Sequence, residues 1–308
     1  MWRESGRLVD ALRRIRGLRP DCRRVVATMT GEIADCFASR QEGVRAIAAA
    51  FEAACVGSEA MVYLVDGTLV SPAEAVARFR EASASNWHAV ATFAAALAAP
   101  AGGLLVDVGS TTVDIIGIGN GVAQPVGLDD VGRLASGELV YTGVERTPVA
   151  AIVQELPWRG RLHPVARERF ADAQDAWLLL GLPLDPASDT ADGRPLDAPS
   201  AAARLARMLL LDPEDFTADD ARTAAEFLAL AQTRLVARCM QQVVERAGRP
   251  PDVVVLSGHG GPLAMGCLRL LGWNHARVIS LEHEAGEAAS RVGPAYALAR
   301  IALGRLPE

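Results

Sequence analysis

The sequence contains no lysine: all 31 basic residues are arginine. That absence excludes a Walker-A lysine, a Schiff-base lysine and a lysine general base together. Anion recognition survives it, because a guanidinium grips carboxylate or phosphate oxygens through paired N–H bonds. Cysteine is sparse as well. Cys22, Cys36, Cys55, Cys239 and Cys267 are odd in number and show no CxxC spacing. Neither a disulfide framework nor a cysteine metal site is expected, and free thiols suit a reducing cytoplasm. Residues 89–106 are uncharged, but alanine dominates them and Pro100, Gly102 and Gly103 interrupt them. A buried helix followed by a strand is expected there, not a membrane span. The first residues mix arginine with Glu4 and Asp10 and have no apolar centre, so no signal peptide is expected. A net charge of −6 lacks the basic excess of a nucleic-acid binder. What remains is a soluble, cytoplasmic chain of 308 residues, half of them hydrophobic, long enough for two domains.

The stretch 103–116, GLLVDVGSTTVDII, organises the rest. The apolar run Leu104-Leu105-Val106 ends on Asp107. The small polar turn Gly109-Ser110-Thr111-Thr112 follows, then Val113-Asp114-Ile115-Ile116. Two short β-rich runs around such a turn predict a tight hairpin. Successive backbone N–H groups with three hydroxyls beside them make a concave anion site, and Asp107 at its mouth could hold a hard cation. An ordinary hairpin with an aspartate capping its turn reads equally well from these residues alone.

Along the chain, residues 7–17 predict a helix and 25–30 a strand. Residues 31–37 follow as a helix start, where Glu32 and Asp35 either share a face toward a cation or amine or merely favour the helix N-terminus. Helix 41–54, strand 61–65 and helix 74–81 lead to Asn86-Trp87-His88 at the mouth of an alanine-rich helix. Residues 129–148 read as a long irregular loop, dense in functional groups: Glu138, Tyr141, Thr142, Glu145 and Arg146. Residues 158–169 carry no clear pattern, and 170–180 read as a helix. Asp189 and Asp192, beside Gly193 and Arg194, form either an ion site or a solvated turn. Two long helical patterns fill 199–247. The apolar strand 252–256 then runs into Ser257-Gly258-His259-Gly260-Gly261-Pro262 and a helix, an arrangement that receives anions or nucleotides at the helix start. Strand 278–281 and helix 286–303 close the chain.

These motifs, in this order, resemble the actin-like ATPase superfamily, through Asp107, Gly109, Thr111 and Asp114 and then Gly258, Gly260 and Gly261. Six segments narrow the resemblance: TMTGEIADCF (28–37), SNWHA (85–89), VDVGSTTVDI (106–115), SGELVYTGVERTP (136–148), DTADGRP (189–195) and SGHGG (257–261). Together they look like the hydantoinase/oxoprolinase-related group tied to tetrahydromethanopterin-linked one-carbon metabolism, whose archaeal relatives act in methanofuran synthesis. The resemblance implies an α/β, ribonuclease-H-like two-domain fold. Residues 1–100 would form a first domain and 101–308 a second, with a helical insertion at about 158–247. That superfamily opens with an acidic-Gly-Gly phosphate loop, and no such segment precedes TMTGE here. Met1-Trp2-Arg3 would already lie in the first helix, so the first domain is expected to lack its N-terminal phosphate-loop strands and the chain to show reduced activity or none.

The implied chemistry condenses a furanylmethyl diphosphate with the phenol oxygen of a tyramine- or tyrosine-glutamate and releases diphosphate. Gly109, Ser110, Thr111 and Thr112 would bind phosphate, with Mg²⁺ on Asp107 and Asp189 or Asp192 as a further ligand. Asp107, Asp114, His88 and Glu32 are the catalytic candidates, with Asp35 a further candidate base. Asn86, Glu138, Tyr141, Arg146 and Arg194 would contact substrate, and Gly258, Gly260 and Gly261 a nucleotide or cofactor. ATP and a homodimer are left open. An ATP-dependent small-molecule kinase, a hydantoinase-type amidohydrolase and an inactive binding protein are the rival readings.

Overall fold

The computed structural model describes residues 5–304 and 306, so Met1-Trp2-Arg3 lie outside the described residues. By contact the chain divides into two compact units. The first takes residues up to 105, 116–136 and those from 281 onward; the second takes 106–115 and 137–280. Among the described residues no helix is long and apolar enough to cross a membrane.

The first unit holds a three-stranded sheet ordered β1 (Arg24–Ala27), β2 (Glu59–Tyr63), β3 (Leu69–Val70). β1 and β2 run parallel, Val26 opposite Met61. A parallel pair needs a crossover, and helix Arg40–Ala54 supplies it. Met29, Val44, Phe51, Val62, Leu64 and Val70 form the core beneath. Helix Asn86–Ala98 is buried along most of its length, and its Phe93 meets Tyr296 of helix Gly293–Ala302 edge to face. Residues 31–37 correct an expectation: they form short turns (Ala34 N→Gly31 O, Phe37 N→Ala34 O) rather than a helix start. The helix waits for Ser39, whose hydroxyl accepts from Glu42 N at 3.2 Å and caps it.

In the second unit, β4 (Gly103–Val108) and β5 (Val113–Gly119) form the expected hairpin, and both strands continue into the first unit, where the end of β5 pairs with β6 (Val122–Ala123). β7 (Leu139–Val140) lies antiparallel to β5, with Val113 opposite Val140. β8 (Glu155–Trp158) and β9 (Arg161–Pro164) make a separate hairpin. β10 (Val253–Gly258) sits between β4 and β11 (Arg277–Ser280), parallel to the latter. Val253 to Ser257 are all buried, as a central strand covered on both faces requires. Helices Ala173–Leu179, Ala198–Met208 and Ala218–Ala247 enclose Leu156, Leu205, Met208, Phe216 and Leu228. A Thr217–Asp220 capping box starts the longest helix, and Gly248, at φ +76°, ends it.

Two segments depart from the sequence reading. Residues 129–148 are not irregular throughout: Asp129 Oδ1 accepts from Gly132 N at 2.7 Å and starts helix Asp130–Ser136, which Gly137 (φ +74°) ends. Residues 158–169 begin in the β8–β9 turn, where Arg159 and Gly160 both take positive φ (46° and 75°), the signature of a twist-matched two-residue hairpin. Trp158 and Arg159 stack, with the guanidinium 4.4 Å from the ring centre, which supports an arginine where glycine or asparagine is usual.

Candidate functional site

The hairpin turn after β4 is held by the loop at 144–146. Gly109 N donates to Thr112 O at 3.0 Å and closes it. The loop 144–146 then donates three N–H groups to its carbonyls: Val144 to Gly109 O (3.1 Å), Glu145 and Arg146 to Ser110 O (3.1 and 2.9 Å). In a planar trans peptide the carbonyl and the following N–H point opposite ways. Pinning the carbonyls of Gly109 and Ser110 therefore aims the N–H groups of Ser110 and Thr111 away from the loop. Among the described residues no hydrogen bond is found for the N–H groups of Ser110, Thr111 or Thr112. Unspent backbone donors with hydroxyls alongside (Ser110 Oγ and Thr111 Oγ1 lie 3.3 Å apart) are an anion cradle. Gly143 is required for the close approach, since a Cβ there would stand 2.5 Å from Thr111 N.

Asp107 stands two residues before the turn, half-buried. Burial first, and the neighbouring Asp114 second, push its carboxyl up to about 7, while Ser257 and His259 pull the other way. The glycine turn after β10 brings those two in. Gly258, at φ +79°, passes so near that a Cβ would lie 2.9 Å from Asp107 Oδ1, and Gly260 N donates to Val108 O at 3.1 Å. The Ser257 hydroxyl, 4% exposed, approaches Asp107 without completing a hydrogen bond. His259 Nε2 lies 2.8 Å from Glu145 Oε1, off the line of its N–H. The result is one cluster of carboxylates, an imidazole, a free hydroxyl and open backbone donors.

Other predicted residues in this unit have different surroundings. Glu138 is buried, 3.9 Å from Arg246, and its carbonyl accepts from Ile115 N. Tyr141 is 60% exposed, and Arg146 is exposed beside the pinned turn. Asp192 is 3.0 Å from Arg204 Nη1, and Arg204 in turn meets Asp175 at 2.6 Å with both side chains wholly buried. This network ties the 185–195 loop to its helices. Asp189 is exposed and holds Gln174 Nε2 through its backbone carbonyl, and Arg194 lies 3.9 Å from Asp192. Among the described residues no group of three or more His, Cys, Asp and Glu is placed to hold a metal.

Glu32, Asn86 and His88 belong to the first unit. Glu32 is 1% exposed with Oε2 unpartnered. Burial lifts its pKa, Arg40 opposes that and Asp130 adds to it. Arg40 and Asp130 pair at 2.9 Å. His88 Nδ1 meets the buried Tyr63 hydroxyl at 2.9 Å, and burial lowers its pKa. Asn86 opens its helix, and Asp35 is exposed. Sequence reasoning named Glu145 among the functional groups of its loop without giving it a role, and passed over Ser257 and His259 as site residues. The signal was present: Ser257 and His259 alternate with the glycines that were singled out.

A family model for hydantoinase/oxoprolinase matches residues 23–302. The chain belongs to the hydantoinase/oxoprolinase family. It is 31% identical over 305 residues, 98% of this chain and 88% of the relative, to the (4-{4-[2-(gamma-L-glutamylamino)ethyl]phenoxymethyl}furan-2-yl)methanamine synthase of Methanocaldococcus jannaschii. A protein of the same name from Methanococcus vannielii is 29% identical over 198 residues, 63% of this chain and 88% of that one. Among solved structures, nucleotide-free acetone carboxylase superposes with a TM-score of 0.52 at 15% identity, covering 83% of this chain. This family member spans 37% of that carboxylase, so the likeness is one of mixed α/β fold. An ATP-dependent caprolactamase from Pseudomonas jessenii matches at 0.45 and 14% identity, over 82% of this chain and 38% of that one.

Proposed function

We propose that this protein, on an actin-like scaffold, condenses a furanylmethyl diphosphate with the phenol oxygen of a tyramine- or tyrosine-glutamate, in cytoplasmic methanofuran-type cofactor synthesis. The observation that carries the reading is the pinned turn, with three backbone donors unspent and the hydroxyls of Ser110, Thr111 and Thr112 alongside, in a chain whose archaeal relative is named for a phenoxymethyl-furan product. In the reaction the phenol O–H gives up its proton, its oxygen bonds the furanylmethyl carbon, and the carbon–oxygen bond to diphosphate breaks with its electron pair leaving on the diphosphate.

Charge gathers on the leaving oxygens, where donors fixed beforehand stabilise the transition state most. Ser110, Thr111 and Thr112 supply those donors, and exposed Arg146 clamps the outer phosphate. We assign the phenol proton to His259, whose Nε2 lies 2.8 Å from Glu145 Oε1, a carboxylate placed to balance the charge of the imidazolium that forms. The residues present would suit a magnesium ion: Asp107 and Asp114 are two carboxylates near one another beside the open donors of the turn, and magnesium takes few protein ligands beside phosphate oxygens and water. When bound it would neutralise phosphate charge. Asp189 remains an outer candidate ligand.

The test incubates the full chain with Mg²⁺, the diphosphate and either phenolic glutamate. Diphosphate release and a new aryl ether by mass spectrometry are expected. No release, or ATP-dependent phosphorylation of the phenol instead, would sink the reading and favour a kinase.

A further inference from the structure

We infer that Gln232 is a positioning residue that aims the anion turn from behind, through an ordered chain of hydrogen bonds; this rests on reading the turn as the diphosphate site. Gln232 lies within helix Ala218–Ala247 and is 1% exposed. Its Oε1 accepts from Trp177 Nε1 at 2.8 Å. An indole nitrogen can only donate, so the orientation of the amide follows and Nε2 must face the other way. There it donates to Thr142 Oγ1 at 2.8 Å and to Gly143 O at 3.0 Å. Having received that proton, Thr142 Oγ1 gives its own to Thr147 Oγ1 at 3.2 Å. Thr147 Oγ1 donates to Gly143 O at 3.2 Å and accepts from Gly143 N at 2.9 Å. This order gives every hydroxyl proton an acceptor and every donor a partner, with its sense set by the indole.

The consequence falls on Gly143, both of whose backbone groups are consumed by this chain. The residues after it, Val144 to Arg146, are the ones whose N–H groups hold the carbonyls of Gly109 and Ser110. Loop 142–147 is thus clamped at one edge by a buried amide and grips the turn with the other. A buried polar network of this kind specifies one arrangement when every member is satisfied. Removing the amide leaves Trp177 Nε1 without an acceptor and takes one bond each from Thr142 Oγ1 and Gly143 O, which keep only their bonds to Thr147, so the loop is held less firmly and is free to shift. The turn's open N–H groups then lose their aim.

The experiment uses the full chain, Mg²⁺ and inorganic diphosphate. Affinity is measured by calorimetry, and the amide signals of Ser110 and Thr111 are followed by NMR in ¹⁵N-labelled protein. Gln232→Leu, close in volume, is expected to weaken binding about tenfold or more and to shrink the diphosphate-induced shift of both amides. Gln241→Leu, on the exposed face of the same helix, should match the wild type. Trp177→Phe, which removes the indole donor together with part of the buried ring, gives the same readout should Gln232→Leu fail to fold. In the condensation assay kcat should fall more than KM rises, because the donors act on charge that develops in the transition state. A folded Gln232→Leu or Trp177→Phe that binds within about twofold of wild type, with both amides still responding, overturns the inference and leaves the reaction reading standing. Wild-type protein that binds no diphosphate removes both.

Discussion

At the scale of single residues, two carboxylates, Asp107 half-buried and Glu32 fully so, have different futures in an experiment. Asp107 sits beside Asp114 and the open donors of the turn, so Asp107→Asn should lower turnover by about a hundredfold or more if the carboxylate holds the metal. Steady-state kinetics with circular dichroism as a control checks this, and an unchanged rate removes Asp107 from the mechanism. Glu32 is the cleaner test of burial. Its folded pKa is lifted above the ordinary 4.5, chiefly by loss of solvent. The fold therefore prefers the protonated acid. Below pH 4.5 both folded and unfolded chains carry that proton and no penalty exists. As pH rises the unfolded chain releases it first, and stability drains away until the folded carboxyl has ionised too. Glu32→Gln never ionises, so it should melt higher than wild type at pH 8 and alike near pH 4. The opposite trend would mean that a charged partner waits for Glu32. The unpaired Oε2 was invisible in the sequence, where Glu32 read as either a site residue or a helix-start acid, because exposure depends on what the rest of the unit packs around it.

At the scale of elements, the hairpin β4–β5 and the glycine turn after β10 were legible because strand chemistry and turn chemistry agree locally there. Their mutual placement rests on glycines that only coordinates explain. Gly143 shows it: the residue reads as one more small loop position, yet a side chain there would strike the Ser110–Thr111 peptide. Gly143→Ala should therefore lower diphosphate affinity about tenfold or more while the secondary structure persists, as titration calorimetry and circular dichroism would show. Gly258→Ala meets both a positive φ and a neighbouring backbone carbonyl, so an overall loss of at least about 2 kcal/mol is expected, measured by denaturant unfolding. The β8–β9 hairpin escaped the sequence reading because Arg159-Gly160 is a poor match to the favoured turn pairs. Stacking on Trp158 is a tertiary effect that no local rule contains.

At the scale of the whole molecule, most of the element order was readable from strand and helix patterns, and the mixed α/β class followed from the family resemblance. The interleaved division was not readable, because it depends on contacts between residues far apart in the chain. Neither was the charge buried in the second unit. Arg204, which reads as one more arginine on an amphipathic helix, is fully enclosed with Asp175. Arg204→Met would strand that carboxylate, and a loss of about 3–5 kcal/mol in unfolding free energy is expected. A double replacement, Arg204→Met with Asp175→Leu, should recover much of it.

The segmental make-up of the two units also bears on how the protein is born. The second unit has all its residues once position 280 is synthesised, whereas the first still awaits the stretch from 281 onward that lays Leu281, Ala297 and Leu298 against Tyr63 and Phe93. Although its opening residues leave the ribosome earliest, the first unit must mature last, reversing the customary order in which N-terminal portions settle before those behind them. A nascent chain arrested with residue 280 just clear of the ribosomal exit tunnel should accordingly resist protease across 137–280 while the first unit is still cut.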